Sequence, residues 1–152
     1  MQVDVLTEIE ISRPREVVAS YASDLDNTTS WYANIVAVEW KTAKPLRVGT
    51  NLAFVARFLG RRLSYTYEIR ELVPNERLVM STSDGPFAME TTYQWEDTPD
   101  GGTRMTLRNR GNPSGFSNVA APMMVNAMRR ANRKDLARIK TILEPKTMKQ
   151  PS

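Results

Sequence analysis

The chain has no cysteine and no histidine among its 152 residues. Without cysteine there is no disulfide and no thiolate nucleophile, and a reducing compartment is permitted. Without histidine the usual general base near neutral pH and the commonest transition-metal ligand are missing. A Ser-His-Asp or Cys-His site cannot be built, so any catalysis has to use carboxylates, Arg, Lys, Tyr, Ser or bound water. Long apolar runs are scarce as well. The most apolar stretch, Val119 to Val125, is broken by Pro122 and is too short to span a bilayer. Met1 to Glu8 carries acids and no apolar run, so no secretory signal is read there, and a cytoplasmic protein is expected. No group of acids has metal-ligand spacing. Gly101-Gly102 lacks the sequence that would make it a phosphate-binding loop. Neither a metal nor a cofactor is expected.

The length fits one domain with a sizeable core, read over 1–145, followed by a loose basic tail over 146–152. The net charge of +4 is unevenly placed. From Arg129 to Lys149 there are eight basic residues against Asp135 and Glu144, whereas the rest of the chain is slightly acidic. One terminal segment thus carries the excess positive charge.

Val3, Val5, Thr7, Ile9 and Ile11 alternate with polar residues and predict a half-buried strand. Ser12, Pro14 and Glu16 then read as a helix start, with Ser12 as cap and Val17, Val18 and Tyr21 on the apolar side. Asp24 to Trp31 reads as a second short helix capped by Asp24 or Asp26. A period of two returns in Val36-Val38-Trp40, Leu52-Phe54-Ala56-Phe58 and Leu63-Tyr65-Tyr67-Ile69. It continues in Leu78 to Thr82, in Met89-Tyr93-Trp95 and in Thr103-Met105-Leu107. Breaks fall at Gly60, Pro74-Asn75, Asp84-Gly85-Pro86 and Pro99-Asp100-Gly101-Gly102. A long helix begins between Ser114 and Pro122 and ends before Pro145; from Pro122 to Leu143 it would run roughly 33 Å. Strands joined by short turns pair as antiparallel neighbours. The terminal helix is the one large amphipathic element left to cover them. The fold class is therefore α+β, a curved seven-stranded antiparallel sheet wrapped around a long C-terminal helix, with two short helices after the first strand.

That order resembles the START-like, or SRPBCC, helix-grip superfamily, and within it the polyketide cyclase/dehydrase group. The resemblance rests on the run from Ile9 to Val17 at the first strand–helix junction, on Asp24 with Trp31, and on Gly49-Thr50. It rests further on the run from Arg70 to Leu78 and on Asp100-Gly101-Gly102-Thr103. It spans about residues 3 to 144. It implies a cavity under the last helix, and an activity only by analogy, since members bind lipids, hormones or polyketides, catalyse reactions or assist other proteins.

Projected on a helix, Met124, Met128, Ala131, Ile139 and Ile142 share one face, with Ala127 at its edge and Asp135 in its middle. Met123, Met124 and Met128 are adaptable enough to follow a ligand's shape, although core filling is the commoner use of such residues. Asp135 is costly to bury without a partner. Escape to solvent or pairing with Arg138 at i+3 is the favoured reading; the alternatives are pairing with an arginine from the sheet, or a raised pKa at the polar end of a cavity. Phe54, Phe58, Tyr65, Tyr67, Tyr93 and Trp95 are core by period, with the tyrosine hydroxyls available to orient a ligand. If the family arrangement holds, Trp31 and Tyr32 lie near the cavity mouth. The candidate ligand-binding set is thus Trp31, Tyr32, Phe54, Phe58, Tyr65, Tyr67, Met89, Tyr93, Met124 and Met128. Asp135 and Tyr93 are the weak catalytic candidates. Arg57, Arg108 and Arg110 fall on outer faces, which leaves no cavity arginine for cyclase chemistry.

Three functions compete. The first is binding of a hydrophobic or amphipathic small molecule, lipid-like or aromatic. The second is a cyclase/dehydratase-type enzyme that uses Tyr, Arg or Asp with water. The third is an interaction module using the basic helix face of Arg129, Arg130, Arg133, Lys134 and Lys140. That face also suits peripheral membrane contact, a nucleic-acid partner is not expected, and a homodimer stays open.

Overall fold

The structure is a computed structural model that describes residues 3–58, 60–84, 88–112 and 121–144. For Phe58, Ser83, Asp84, Ala88 and Ala121 it describes the backbone alone. The expected tail and the expected helix start before residue 121 lie outside the described residues. The elements are β1 (Val3–Ile11), α1 (Arg15–Ser23), a 3-10 turn (Leu25–Asn27), α2 (Thr28–Trp31), β2 (Ile35–Trp40), β3 (Asn51–Phe58), β4 (Arg61–Val73), β5 (Arg77–Asp84), β6 (Ala88–Asp97), β7 (Thr103–Asn112) and α3 (Ala121–Leu143).

Seven antiparallel strands form one sheet in the order β1-β7-β6-β5-β4-β3-β2. Strands β2 to β7 follow one another as neighbours, because each connection returns the chain beside the strand it has just left, the longest running over 41–50 between β2 and β3. β1 closes the far edge, pairing along its whole length with β7 from Val3↔Gly111 to Ile11↔Thr103. The β4–β5 pairing shifts register twice, between Thr66 and Tyr67, where the extra residue is Ser83 of β5, and between Ile69 and Glu71, where it is Arg70 of β4; such bulges bend the strands that carry them. A further shift lies in β2 between Ile35 and Ala37. The bends turn one face of the sheet into a concave surface, and α3 lies against it.

The β6–β7 hairpin is tightly made. Gly101 has a φ of 85°, a left-handed conformation that favours glycine. A Cβ on Gly102 would meet the Ile11 carbonyl oxygen at 2.7 Å, so a side chain there would push β1 away from the turn.

Ser12 does not cap α1. The helix starts after Pro14, with no side-chain cap, and the Ser12 amide instead donates to Glu144 Oε2 at 2.8 Å. Pro14 is the residue before the first turn, extended at ψ 152°, and its carbonyl accepts from the amides of Val17 and Val18. Asp24 does cap, its carboxylate accepting from the Asp26 amide at 3.3 Å.

The buried face of α3 is rotated from the projected one. Met124, Met128, Asn132, Asp135, Leu136 and Ile139 are buried, whereas Ile142 is 42% exposed and Met123 is 66% exposed. The stripe advances by four, four, three, one and three residues, so it drifts around the cylinder and brings Asn132 and Leu136 inward. Hydrophobic side chains under the C-terminal half of α3 form one cluster with Ile11, Val18, Trp31, Ile69, Leu78, Trp95 and Leu107. Those under its N-terminal half form a second, of Val3, Val5, Ala56, Leu63, Tyr65, Met89, Met124 and Met128.

Candidate functional site

Between the N-terminal half of α3 and the sheet the packing is incomplete. A cavity of about 130 Å³ is lined by Tyr32, Ile35, Ala56, Tyr65, Tyr67, Met89 and Met128, with Asn34, Asn109, Asn132 and Asp135 as its polar groups and Ala131 completing the wall. A second chamber of about 100 Å³ reaches deeper into the sheet. It shares Tyr32, Ile35, Ala56, Tyr65, Tyr67 and Asn109 with the first and adds Phe54, Met80 and Thr91. The cause is visible in the residue types. Ala56 is small where its neighbours on the concave face are Phe54 and Tyr65, and Asn109 stands where the inward alternation of Met105 and Leu107 would place another apolar residue. Among the described lining residues of the two chambers, none is Lys or Arg.

The tyrosines are held in a fixed arrangement. The Tyr32 and Tyr93 hydroxyls are 2.7 Å apart in a hydrogen bond. The Trp31 ring packs against both Tyr32 and Tyr93, with centroids 4.4 and 5.7 Å away. Tyr67 meets Phe54 edge-on at 5.5 Å and Tyr65 at 6.4 Å. Burial pushes the hydroxyls of Tyr32, Tyr65, Tyr67 and Tyr93 above their ordinary range, so all four remain protonated at neutral pH. Thr91 Oγ1 donates to Asn109 Oδ1 at 2.8 Å, which orients that amide.

Asp135 departs from the favoured sequence reading. It neither reaches solvent nor pairs with Arg138: it is 2% exposed, and the Arg138 guanidinium donates to the Ser30 carbonyl at 2.9 Å. One carboxylate oxygen, Oδ1, accepts from the Ala33 amide at 3.0 Å. Loss of water pushes its pKa up to about 6, with the Ala33 amide and the charges of Lys134 and Arg138 opposing the rise. The same carboxylate borders two recesses on the outer surface, one with Lys134, Arg138 and Ile142, the other with Asn34, Arg130 and Lys134. Asp135 therefore stands in the wall between the cavity and the outside, where the segment 33–34 meets α3. One turn away, the buried Asn132 Nδ2 has no hydrogen-bond partner among the described residues.

Of the sequence candidates, Tyr32, Tyr65, Tyr67, Met89 and Met128 border the larger chamber, and Phe54 borders the deeper one. Trp31, Tyr93 and Met124 are fully buried in the packing behind these walls rather than on them; Trp31 is not at a mouth. The Phe58 side chain lies outside those described. Asn34, Ile35, Ala56, Met80, Thr91, Asn109, Ala131 and Asn132 complete the walls and were not singled out by type. The period-two pattern of β7 would have pointed Asn109 inward, and the i+3 spacing to Asp135 would have placed Asn132 beside it. Arg108 and Arg110 are on the outer face as expected, paired with Asp4 at 2.7 Å and Glu90 at 2.9 Å, and Arg57 is exposed. No three acid side chains come together as a metal site among the described residues. No described helix is long and apolar enough to cross a membrane.

A bent antiparallel sheet gripping a long terminal helix, with a partly apolar cavity between them, defines the helix-grip class of the START-like superfamily. Residues 2–144 match the family described as polyketide cyclase / dehydrase and lipid transport, and the chain belongs to that family. Among solved structures it is similar to a Thermus thermophilus protein, at 20% identity and a TM-score of 0.78, over 91% of this chain and 95% of that one. A START superfamily protein from Mycobacterium smegmatis is 14% identical with a TM-score of 0.79, over 92% and 96%. An aromatase/cyclase from a Streptomyces species is 12% identical with a TM-score of 0.76, over 93% of each chain. At these identities the likeness is one of fold. No curated protein matches the sequence.

Proposed function

We propose that the protein binds a hydrophobic or amphipathic small molecule between α3 and the sheet. The observation that carries this reading is the pair of adjoining chambers, walled by aromatic and aliphatic side chains and supplied with a few polar groups. Closing such space would need only a larger side chain at Ala56. An apolar cavity of about 150 Å³ is enough to bind one benzene ring, so the two chambers suit a compact molecule of about two rings. Naphthalene is a suitable first probe, followed by its fluorescence on titration. The wild-type chain is expected to bind it, and Ala56→Phe, which places a ring at the wall the two chambers share, to abolish binding while circular dichroism shows the fold intact. Uptake undiminished in Ala56→Phe places the ligand elsewhere and rejects the reading.

A second reading follows from Asp135. A carboxyl beside a cavity with a pKa near 6 is suited to proton transfer, and the family includes the cyclase/dehydrase type. For a substrate found by co-purification, Asp135→Asn would then abolish turnover even at saturating substrate. Unchanged turnover removes Asp135 as the acid or base.

A further inference from the structure

The cavity's polar end has an unusual combination of groups. Asn132 Nδ2 is a buried donor with no partner, and its residue is 5% exposed. Asp135 uses one carboxylate oxygen on the Ala33 amide, and among the described residues Oδ2 has no hydrogen-bond partner. The two residues are three apart on α3 and border the same chamber, so their side chains are neighbours. The chamber is thus bordered by a buried donor without a partner and by a carboxylate whose second oxygen makes no hydrogen bond among the described residues.

Each class of ligand head group meets this pair differently. A carboxylate would face the Asp135 carboxylate, with no cation among the described lining residues to hold it. Lys134 and Arg138, the cations nearest Asp135, line the outer recess rather than the chamber. The segment 33–34 opposite brings only a backbone amide and Asn34, and the buried neighbours Tyr32 and Tyr93 remain neutral. An ammonium group would satisfy Asp135 but leave the Asn132 donor unpaired, since it has no acceptor. A hydroxyl donates one hydrogen bond and accepts another, and so satisfies both.

We propose that the cavity selects a neutral, compact, ring-bearing molecule through one hydroxyl group, which donates to Asp135 Oδ2 and accepts from Asn132 Nδ2. This rests on the binding reading above and names the chemistry that the site recognises. Asn132 and Asp135 set specificity for the head group, while Tyr65, Tyr67, Ala56 and Met89 hold the ring.

The test compares naphthalene, 2-naphthol, 2-methoxynaphthalene and 2-naphthoate at pH 7.5, by calorimetry or fluorescence, with wild type, Asn132→Leu and Asp135→Asn. In wild type, 2-naphthol should bind at least tenfold tighter than naphthalene, and 2-naphthoate should bind more weakly than 2-naphthol. Asn132→Leu should lower the affinity for 2-naphthol by a much larger factor than that for naphthalene, bringing the two together. Asp135→Asn presents a donor where the acceptor was, so it should weaken 2-naphthol several-fold yet leave 2-methoxynaphthalene, which has no donor, unaffected. If Asn132→Leu does not fold, Asn132→Ala carries the same comparison. Equal binding of 2-naphthol and naphthalene overturns the proposal, as does 2-naphthoate binding as tightly as 2-naphthol, or wild-type affinity for 2-naphthol in the Asn132 variant. If naphthalene itself fails to bind, the cavity reading falls first and the head-group proposal with it.

Discussion

The two halves of the space beneath α3 are built from different materials. Under its C-terminal half lie Trp31, Ile69, Leu78, Trp95, Leu136 and Ile139, large side chains that leave almost no surface exposed. Under its N-terminal half lie Ala56, Met89, Met124 and Met128, with the two chambers among the tyrosines next to them. One helix and one sheet border both regions, so the difference comes from side-chain size and polarity and not from backbone architecture. Stability is concentrated in one half, and the other is free to carry polar groups and empty space, which cost stability.

The largest expected effect breaks that comparison most directly. Leu136→Ala, in the close-packed half, should lose about 3 kcal/mol in denaturant unfolding, the transfer cost of the side chain plus that of a new cavity. Met128→Ala, already beside empty space, should lose about half as much. Equal losses would mean that the two halves are packed alike.

Next comes the charge at Asp135. Its carboxyl binds a proton more tightly in the folded chain than in the unfolded one, where the ordinary value is 3.8. Its contribution is therefore most favourable below about pH 4 and is lost as pH rises to about 6. Over that window the folded state should lose up to about 3 kcal/mol relative to an Asp135→Asn variant, which keeps an acceptor for the Ala33 amide and does not ionise. Parallel unfolding curves for the two proteins from pH 4 to 7 would show that Asp135 is hydrated despite its burial.

Asn132→Leu should raise stability by about 1 kcal/mol, because the buried amide forms no bond that would be lost. A loss of similar size would sharpen the picture differently, by showing that the amide does have a partner in solution. The smallest effect belongs to the outer side of α3. Charge reversal at Arg130 and Arg133, both exposed and outside any described ion pair, should change stability by less than about 0.5 kcal/mol. Such a variant can therefore be used to test the basic face for a partner without disturbing the fold.

Most of the fold was legible in the sequence because strands and helices leave periodic signatures. Residues 3 to 11 and 103 to 107 alternate, and the structure places them as alternation requires. The site was only partly legible. Large aromatic residues attract notice, yet the cavity depends as much on Ala56, whose smallness makes room, and absence of volume is not visible in one chain. Trp31 and Tyr93 look like ligand residues by type, but whether such a ring lines a cavity or stands behind its wall depends on contacts across the sheet. Asp135 was misjudged for a related reason. Its partner is the amide of Ala33, a backbone group that every residue but proline owns and that no side-chain pattern reveals.

The last turn of α3 is tied to the segment 10–13 by several hydrogen bonds. Lys140 Nζ donates to the Glu10 carbonyl at 2.7 Å and to Glu144 at 2.6 Å, Glu144 accepts from the Ser12 amide, and Arg13 reaches the Leu143 carbonyl at 2.8 Å. Mechanically this makes α3 a beam clamped at one end. A rotation about that clamp too small to break these bonds moves the far end most, through a helix of 23 residues or about 34 Å. The space that such a movement widens is the part above Met128 and Ala56, and the part it leaves shut is the packed core around Leu136 and Ile139.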